Sequence, residues 1–215
     1  MANTQITGEG MWLVYKPTGI SSFGVVARVR RITGIRKVGH AGTLDPEAEG
    51  LMIILVGKDY TRKADSFLKL DKSYEVEATL GQTSTTGDRE GELAQVSDKQ
   101  PSEDEVREAL RKFQGEIMQT PPVYSAIKVG GQRAYKLARE GKEVTIEPRK
   151  VTVASIELLN YSYPKLSFRA DVSSGTYIRS LVEDIGVALG TGAYMSALTR
   201  TRVGDYNLGD ALHLD

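Results

Sequence analysis

The chain has 215 residues, with 28 Lys+Arg against 28 Asp+Glu and no cysteine. Zero net charge argues against a uniformly basic nucleic-acid binder, and the lack of thiols excludes disulfides, cysteine nucleophiles and thiolate-held metal clusters. The histidines are His40 and His213 alone, so a multi-histidine metal centre is nearly excluded and no metal or cofactor is expected.

Hydrophobic residues at 40% and charged residues at 26% suit a soluble globular protein. The N-terminus lacks the basic start and long apolar stretch of a signal peptide. The longest apolar run, residues 51–56, is far too short to span a bilayer. A cytoplasmic protein without membrane attachment is expected.

Along the chain, Ser21-Ser22 caps a helix to about Thr33, with Val25, Val26, Val29 and Ile32 on its buried stripe. Residues 51–56 read as a strand covered on both faces. Tyr74, Val76, Ala78 and Leu80 alternate with polar residues, as in a half-buried strand. Ser102-x-x-Glu105 is a capping box leading a helix with Val106, Ala109, Leu110 and Phe113 inward. Residues 151–159 and 166–172 read as strands. Ile178, Leu181, Val182, Ile185 and Leu189 form a helical stripe that Gly190 ends. Strands outnumber helices without strict alternation, so the fold class is α+β, with a largely antiparallel mixed sheet flanked by helices and loops. One domain over residues 1–215 is expected. A flap at about 119–149 is marked by Pro121-Pro122, Gly130-Gly131 and a short basic helix around 133–142.

Charge is segregated. Arg28, Arg30, Arg31, Arg36 and Lys37 have no acidic neighbour, and Lys128, Arg133, Lys136, Arg139 and Lys142 add a basic group in the flap. Residues 88–108, from Asp88 to Glu108, are predominantly acidic. A polyanion-binding face would read this way, as would solvated helix faces and loops.

The densest oddity is the glycine-punctuated loop GHAGTLDPEAEG, residues 39–50. Pro46 restricts Asp45 to extended backbone and so directs its carboxylate, which suits a nucleophile or general base. A calcium loop fails because Val56 occupies the twelfth position. A glycosidase pair of Asp45 with Glu47 or Glu49 fails because neighbours on one loop seldom flank a bond. A plain turn with Asp45 capping backbone amides stays open. Ser125-x-x-Lys128 lacks the companion motif of penicillin-recognising enzymes. No Walker or Rossmann glycine pattern occurs.

Six stretches, taken together, resemble the TruB family of tRNA pseudouridine-55 synthases over nearly the whole chain. They are Tyr15-Lys16-Pro17-x-Gly19-x-Ser21-Ser22, GHAGTLDPEAEGLMIILVG (39–57), KSYEVEATLGQTSTTGDREG (72–91), TPPVYSAIKVGGQRAYKLAREG (120–141), SSGTYIRSLVEDIG (173–186) and ALTRTRVG (197–204). The resemblance implies a pseudouridine synthase fold and an isomerase that acts on the T-arm of tRNA. Such an enzyme cleaves the glycosidic bond of a flipped uridine and rejoins the base through C5, without a cofactor.

It implies that Asp45 is the catalytic aspartate and that Arg179 pairs with it and aims it. From residues alone, the alternative for Arg179 is an exposed i,i+4 pair with Glu183. Tyr74 is implied to stack on the target base, with core packing the alternative. Tyr177 and Leu198 are implied to line the substrate pocket, and His40 to hold the flipped region of the RNA loop. Lys16 and Pro17 are implied to support the site. The chain departs from the family pattern at residues 57–63 and at Thr199, where an arginine usually precedes Arg200, and both changes are expected to touch the rim. It ends before the PUA-type RNA-binding domain usual in bacterial members, which implies weaker, more salt-sensitive binding. A stand-alone monomer with no obligate protein partner is expected. The alternatives are a non-catalytic tRNA-binding or folding module and a partner- or guide-dependent synthase subunit.

Overall fold

The computed structural model describes residues 6–125 and 127–214. They form two compact units, Met1–Glu75 with Leu198–Asp215, and Val76–Ala197. The side chain of Arg139, one of the flap's basic residues, lies outside the described ones.

In the first unit, β1 (Gly10–Lys16) is followed by α1 (Ser22–Thr33), β2 (Val38–His40) and β3 (Glu49–Val56). Ser21 starts α1 by accepting a hydrogen bond from the Gly24 N–H, and Gly34 ends it in the left-handed region at φ 69°. Val25, Val26 and Val29 are buried as expected, but Ile32 is 47% exposed. The helical period carries the inward face from Val29 to Thr33, whose hydroxyl donates to the Val29 carbonyl at 2.8 Å, and Ile32 falls outside it. Residues 51–56 are wholly buried, as their continuous apolar run predicts. β3 pairs antiparallel with β1 along its length and with β2 at His40↔Ile54. Leu51, Ile53 and Leu55 form a core with Ala41 and Val203, closed by Leu13 and Phe67. Two short helices, α2 (Lys58–Thr61) and α3 (Ala64–Leu68), lead to β4 (Lys72–Leu80), which passes into the second unit. β4 is more buried than its alternation suggests, since Ser73 and Thr79 are also covered.

The second unit continues with β5 (Gln82–Ser84), β6 (Leu93–Gln95) and α4 (Glu103–Lys112). The predicted capping box is present: Ser102 Oγ accepts from the Glu105 N–H, and the Glu105 carboxylate accepts from the Ser102 N–H at 2.7 Å. Then come β7 (Gly115–Gln119), β8 (Lys128–Val129), β9 (Gln132–Arg133), α5 (Ala134–Arg139), β10 (Arg149–Ser162), β11 (Lys165–Val172), α6 (Ile178–Leu189) and β12 (Ala193–Val203). β11, β10 and β7 pair antiparallel in that order. Gln119 on β7 and Arg149 on β10 are direct partners in register, and β8, β9 and α5 lie in the chain between them.

β12 ends in the first unit. There Thr199 and Arg200 pair parallel with Glu49 and Gly50, and β13 (Tyr206–Asn207) pairs antiparallel with the end of β12. This parallel contact, beside the antiparallel pairings of β1, β2 and β13, makes the sheet mixed, the expected α+β class. Gly50 is obligatory: its φ is +113°, and a Cβ there would stand 2.4 Å from the Arg200 carbonyl oxygen. No helix among the described residues is long and apolar enough to cross a membrane.

Candidate active site

In the first unit, the segment between β2 and β3 carries Asp45, half-buried. Its backbone is pinned from three sides. Ser22, at the start of α1, accepts from the Leu44 N–H at 2.9 Å and donates to the Leu44 carbonyl at 2.8 Å. The Lys16 ammonium, fully buried, donates to the carbonyls of Pro17 and Pro46 at 3.0 Å and to that of Ala48. The Arg200 guanidinium, 1% exposed, donates to the carbonyls of Leu51 at 2.8 Å, Gly42 at 3.1 Å and Thr43 at 3.5 Å. A short turn, Ala48 N–H to Asp45 carbonyl at 3.1 Å, closes the segment. Asp45 therefore sits on a frame with little freedom to relax, which catalytic positioning requires.

Arg200 is a residue that sequence reading does not single out: it is among the largest fully buried side chains and grips the Asp45 segment. Thr199 donates to Glu49 Oε1 at 3.2 Å, and Tyr15 donates to Glu49 Oε2 at 2.7 Å. Nothing in the alternation of β12 marks Arg200 as interior. The carbonyls that receive it, on the Asp45 segment and on β3, come from positions distant in sequence.

The other residues singled out in this unit lie as follows. Pro17 is half-buried beside the Lys16 ammonium, and Tyr74 on β4 and Leu198 on β12 are buried. Half-buried His40 ends β2 and meets the ring of Phe23 edge-on, at 5.7 Å between centroids and 88°. Burial, and then Arg200, push the His40 imidazole pKa down, so the neutral ring is favoured.

Lys16 is lowered to about 8 by burial, against the opposing pull of Asp45 and Glu47. Lys72 donates to the Leu68 and Leu70 carbonyls and is also lowered to about 8, by burial and then by Arg200. An unfolded lysine holds its proton to about 10.5, whereas folded Lys72 releases it near 8. Between those values the unfolded state binds more protons, so stability rises with pH. Relative to Lys72→Met, the wild type is expected to gain roughly 1–2 kcal/mol of unfolding free energy between about pH 7.5 and 9.5 in urea titrations. Parallel curves for the two proteins would overturn this.

The second unit holds Tyr177 and Arg179 at the start of α6. Gln119, 1% exposed, donates its side-chain amide to the Tyr177 carbonyl at 3.0 Å and accepts from the Tyr177 N–H at 2.8 Å. The Arg149 guanidinium lies 5.3 Å from the centroid of the Tyr177 ring, and Ser180 donates to the Thr120 carbonyl at 2.8 Å. The root of the flap is thus tied to the residues that open α6.

Arg179 is buried rather than part of an exposed pair with Glu183. Its guanidinium lies 3.6 Å from the Asp88 carboxylate and donates to the Thr86 and Tyr124 carbonyls, each at 2.9 Å. Asp88, 4% exposed, also accepts from the Thr86 hydroxyl at 2.5 Å and from the Glu90 N–H at 3.1 Å. Asp88 was read only as the start of an acidic, solvated stretch. Asp88→Asn removes the carboxylate charge that faces this buried guanidinium and weakens the Thr86 and Glu90 bonds, so it is expected to cost about 1–3 kcal/mol of unfolding free energy. Urea denaturation checks this, and a change below about 0.5 kcal/mol is what a surface pair would give.

Comparison with known proteins matches residues 30–178 to the model of the TruB family pseudouridylate synthase N-terminal domain. Residues 179–215 match that of the tRNA pseudouridylate synthase B C-terminal domain. The chain is 47% identical over 205 residues to tRNA pseudouridine synthase B of Protochlamydia amoebophila, covering 95% of this chain and 78% of that protein. It is 46% identical over 208 residues to tRNA pseudouridine synthase B of Opitutus terrae, covering 96% of this chain and 86% of that protein. Among solved structures, a chain of a Cbf5-Nop10-Gar1 complex superposes with TM-score 0.73 at 33% identity, over 92% of this chain and 50% of that one. A chain of an H/ACA RNP bound to a substrate RNA containing 2'-deoxyuridine gives TM-score 0.72 at 30% identity, over 95% of this chain and 51% of that one.

Proposed function

The chain belongs to the TruB family of pseudouridylate synthases, and from that premise we propose that it isomerises uridine to pseudouridine at position 55, in the T-loop of tRNA, with Asp45 as the catalytic group. The reaction breaks the C1′–N1 bond, turns the uracil and joins C5 to C1′. C5 loses a proton and N1 gains one, so atoms balance without a co-reactant. A carboxylate serves such a reaction as a nucleophile at C1′, as a nucleophile on the base, or as a base toward the sugar.

The observation that carries the assignment is the pinned frame around Asp45, built from Ser22, Lys16 and Arg200. A carboxylate whose backbone cannot relax is preorganised for a charged transition state. His40, Tyr74 and Leu198 are proposed to meet the flipped uridine and its neighbours, and Tyr177 and Arg179 to bind substrate. Lys16 and Pro17 act through the Asp45 backbone. Extruding the uridine costs a few kcal/mol, which stacking on aromatic side chains offsets in part.

A stand-alone, monomeric, cytoplasmic enzyme is the proposed form. Greater identity to the tRNA pseudouridine synthase B relatives than to the chains of multi-protein complexes supports it. Incubation of the purified chain with unmodified tRNA transcript, followed by mapping of pseudouridine, tests the reading. Product at position 55 without added protein or guide RNA is the expected result. Normal tRNA binding without product would overturn it in favour of a binding module.

A further inference from the structure

Phe23 is 72% exposed, although it lies in the first turn of a helix whose opposite face is well buried. Its position is held on both sides. The preceding residue, Ser22, is the buried hydroxyl that pins Leu44, the neighbour of Asp45. The ring of Phe23 stands perpendicular to that of His40, at the end of the strand that leads into the Asp45 segment. Phe23 thus follows directly on the serine that holds the residue before Asp45, and its ring is turned to solvent.

The surroundings select what covers that face. The solvent side of α1 carries Arg28 and Arg31 and no acidic residue, and exposed Arg36 and Lys37 follow the helix. Near its C-terminal end, a cavity of about 340 Å³ is lined by Arg30, Gly34, Ile35 and Arg36. An exposed aromatic ring in a cationic, acid-free strip fits a single-stranded nucleic acid, whose bases stack while its phosphates meet the arginines. An apolar protein surface would leave those guanidinium groups without counter-charge.

We propose that Phe23, braced edge-on by His40, is a stacking platform for an unpaired nucleobase of the RNA substrate adjacent to the flipped uridine. The inference rests on the RNA-modifying function proposed above and adds a base contact on α1. The contact favours an open loop over a duplex, because only an unstacked base can reach an isolated ring.

The test compares wild type, Phe23→Ala and Phe23→Trp for binding to unmodified tRNA transcript at several salt concentrations, and for single-turnover pseudouridine formation. Phe23 is mostly exposed and its ring contact is to His40 at the end of β2, so all three proteins are expected to fold. Phe23→Ala is expected to weaken binding roughly 5- to 100-fold, the worth of one stacked base, with an unchanged salt slope. Phe23→Trp is expected to restore affinity, and its indole fluorescence to be quenched when tRNA binds. Equal affinity and turnover for Phe23→Ala and wild type would overturn the proposal, as would a loss that Phe23→Trp does not rescue or one that changes the salt slope. If wild type binds tRNA without forming product, the synthase reading fails, while the contrast between alanine and tryptophan still decides the stacking platform.

Discussion

Asp45→Asn is expected to remove pseudouridine formation, a fall of about ten-thousand-fold or more, the scale seen when a reacting group is deleted. The substitution keeps the shape of the side chain and removes its charge. The frame that holds this segment is made through the carbonyls of Gly42, Thr43, Pro46 and Ala48, which asparagine leaves in place. Unfolding free energy is therefore expected to change by no more than about 1 kcal/mol. Loss of the neighbouring negative charge also removes one of the influences that hold the Lys16 proton, so that pKa moves further down. Pseudouridine mapping under single-turnover conditions, beside a urea titration, separates the two effects. An undiminished rate in Asp45→Asn would remove Asp45 from the chemistry, and a collapse in stability would make it a structural residue.

Arg200→Met is the second large effect. Methionine fills much of the volume, but the Leu51 carbonyl loses its donor at a buried position, and the carbonyls of Gly42 and Thr43 lose theirs at partly covered ones. Stranding buried acceptors costs about 1–3 kcal/mol each where no replacement is found. The expected loss is about 2–4 kcal/mol, most of it from the Leu51 carbonyl and the lost packing. Arg200→Lys supplies one ammonium where a planar fork served three carbonyls, so only part of the loss should return. Activity is expected to fall through kcat, because the Asp45 segment loses one of its anchors. Arg200 is also among the influences that lower His40, so the imidazole of Arg200→Met should titrate at higher pH by NMR. Wild-type stability and an unmoved His40 in that variant would show that the guanidinium does not hold the segment.

Much of the framework is readable from local pattern, because local pattern is what forms it. Ser21, the Ser102–Glu105 box and Gly190 act within one turn of their own helices. Residues 51–56 have only one way to hide so much apolar surface. The glycine-punctuated Asp45 segment stands out for the same reason. What sequence reading misses are the charges whose partners come from far along the chain. Arg200 sits in a strand of mixed residues, and Asp88 opens an acidic stretch that reads as solvated. Each is buried because a carbonyl cluster or a guanidinium waits at a distant position, and no window of neighbours contains that information. Ile32 fails in the opposite direction. It has the right residue type at the right spacing, yet the helix turns its inward face to Thr33 instead.

Lys16 and Arg200 grip carbonyls, and every amino acid supplies a carbonyl. The frame therefore asks little of the side chain of exposed Thr43, whose carbonyl alone is held, and that position can drift in sequence without moving the carboxylate. The constraint is exported to the two cations and to Gly50, whose missing Cβ lets the strands meet. A saturation library across residues 43–50, 16 and 200 would accordingly read as tolerance at Thr43, constraint at buried Leu44 and Ala48 and at Asp45, Pro46 and Gly50, and two basic positions that accept almost nothing else.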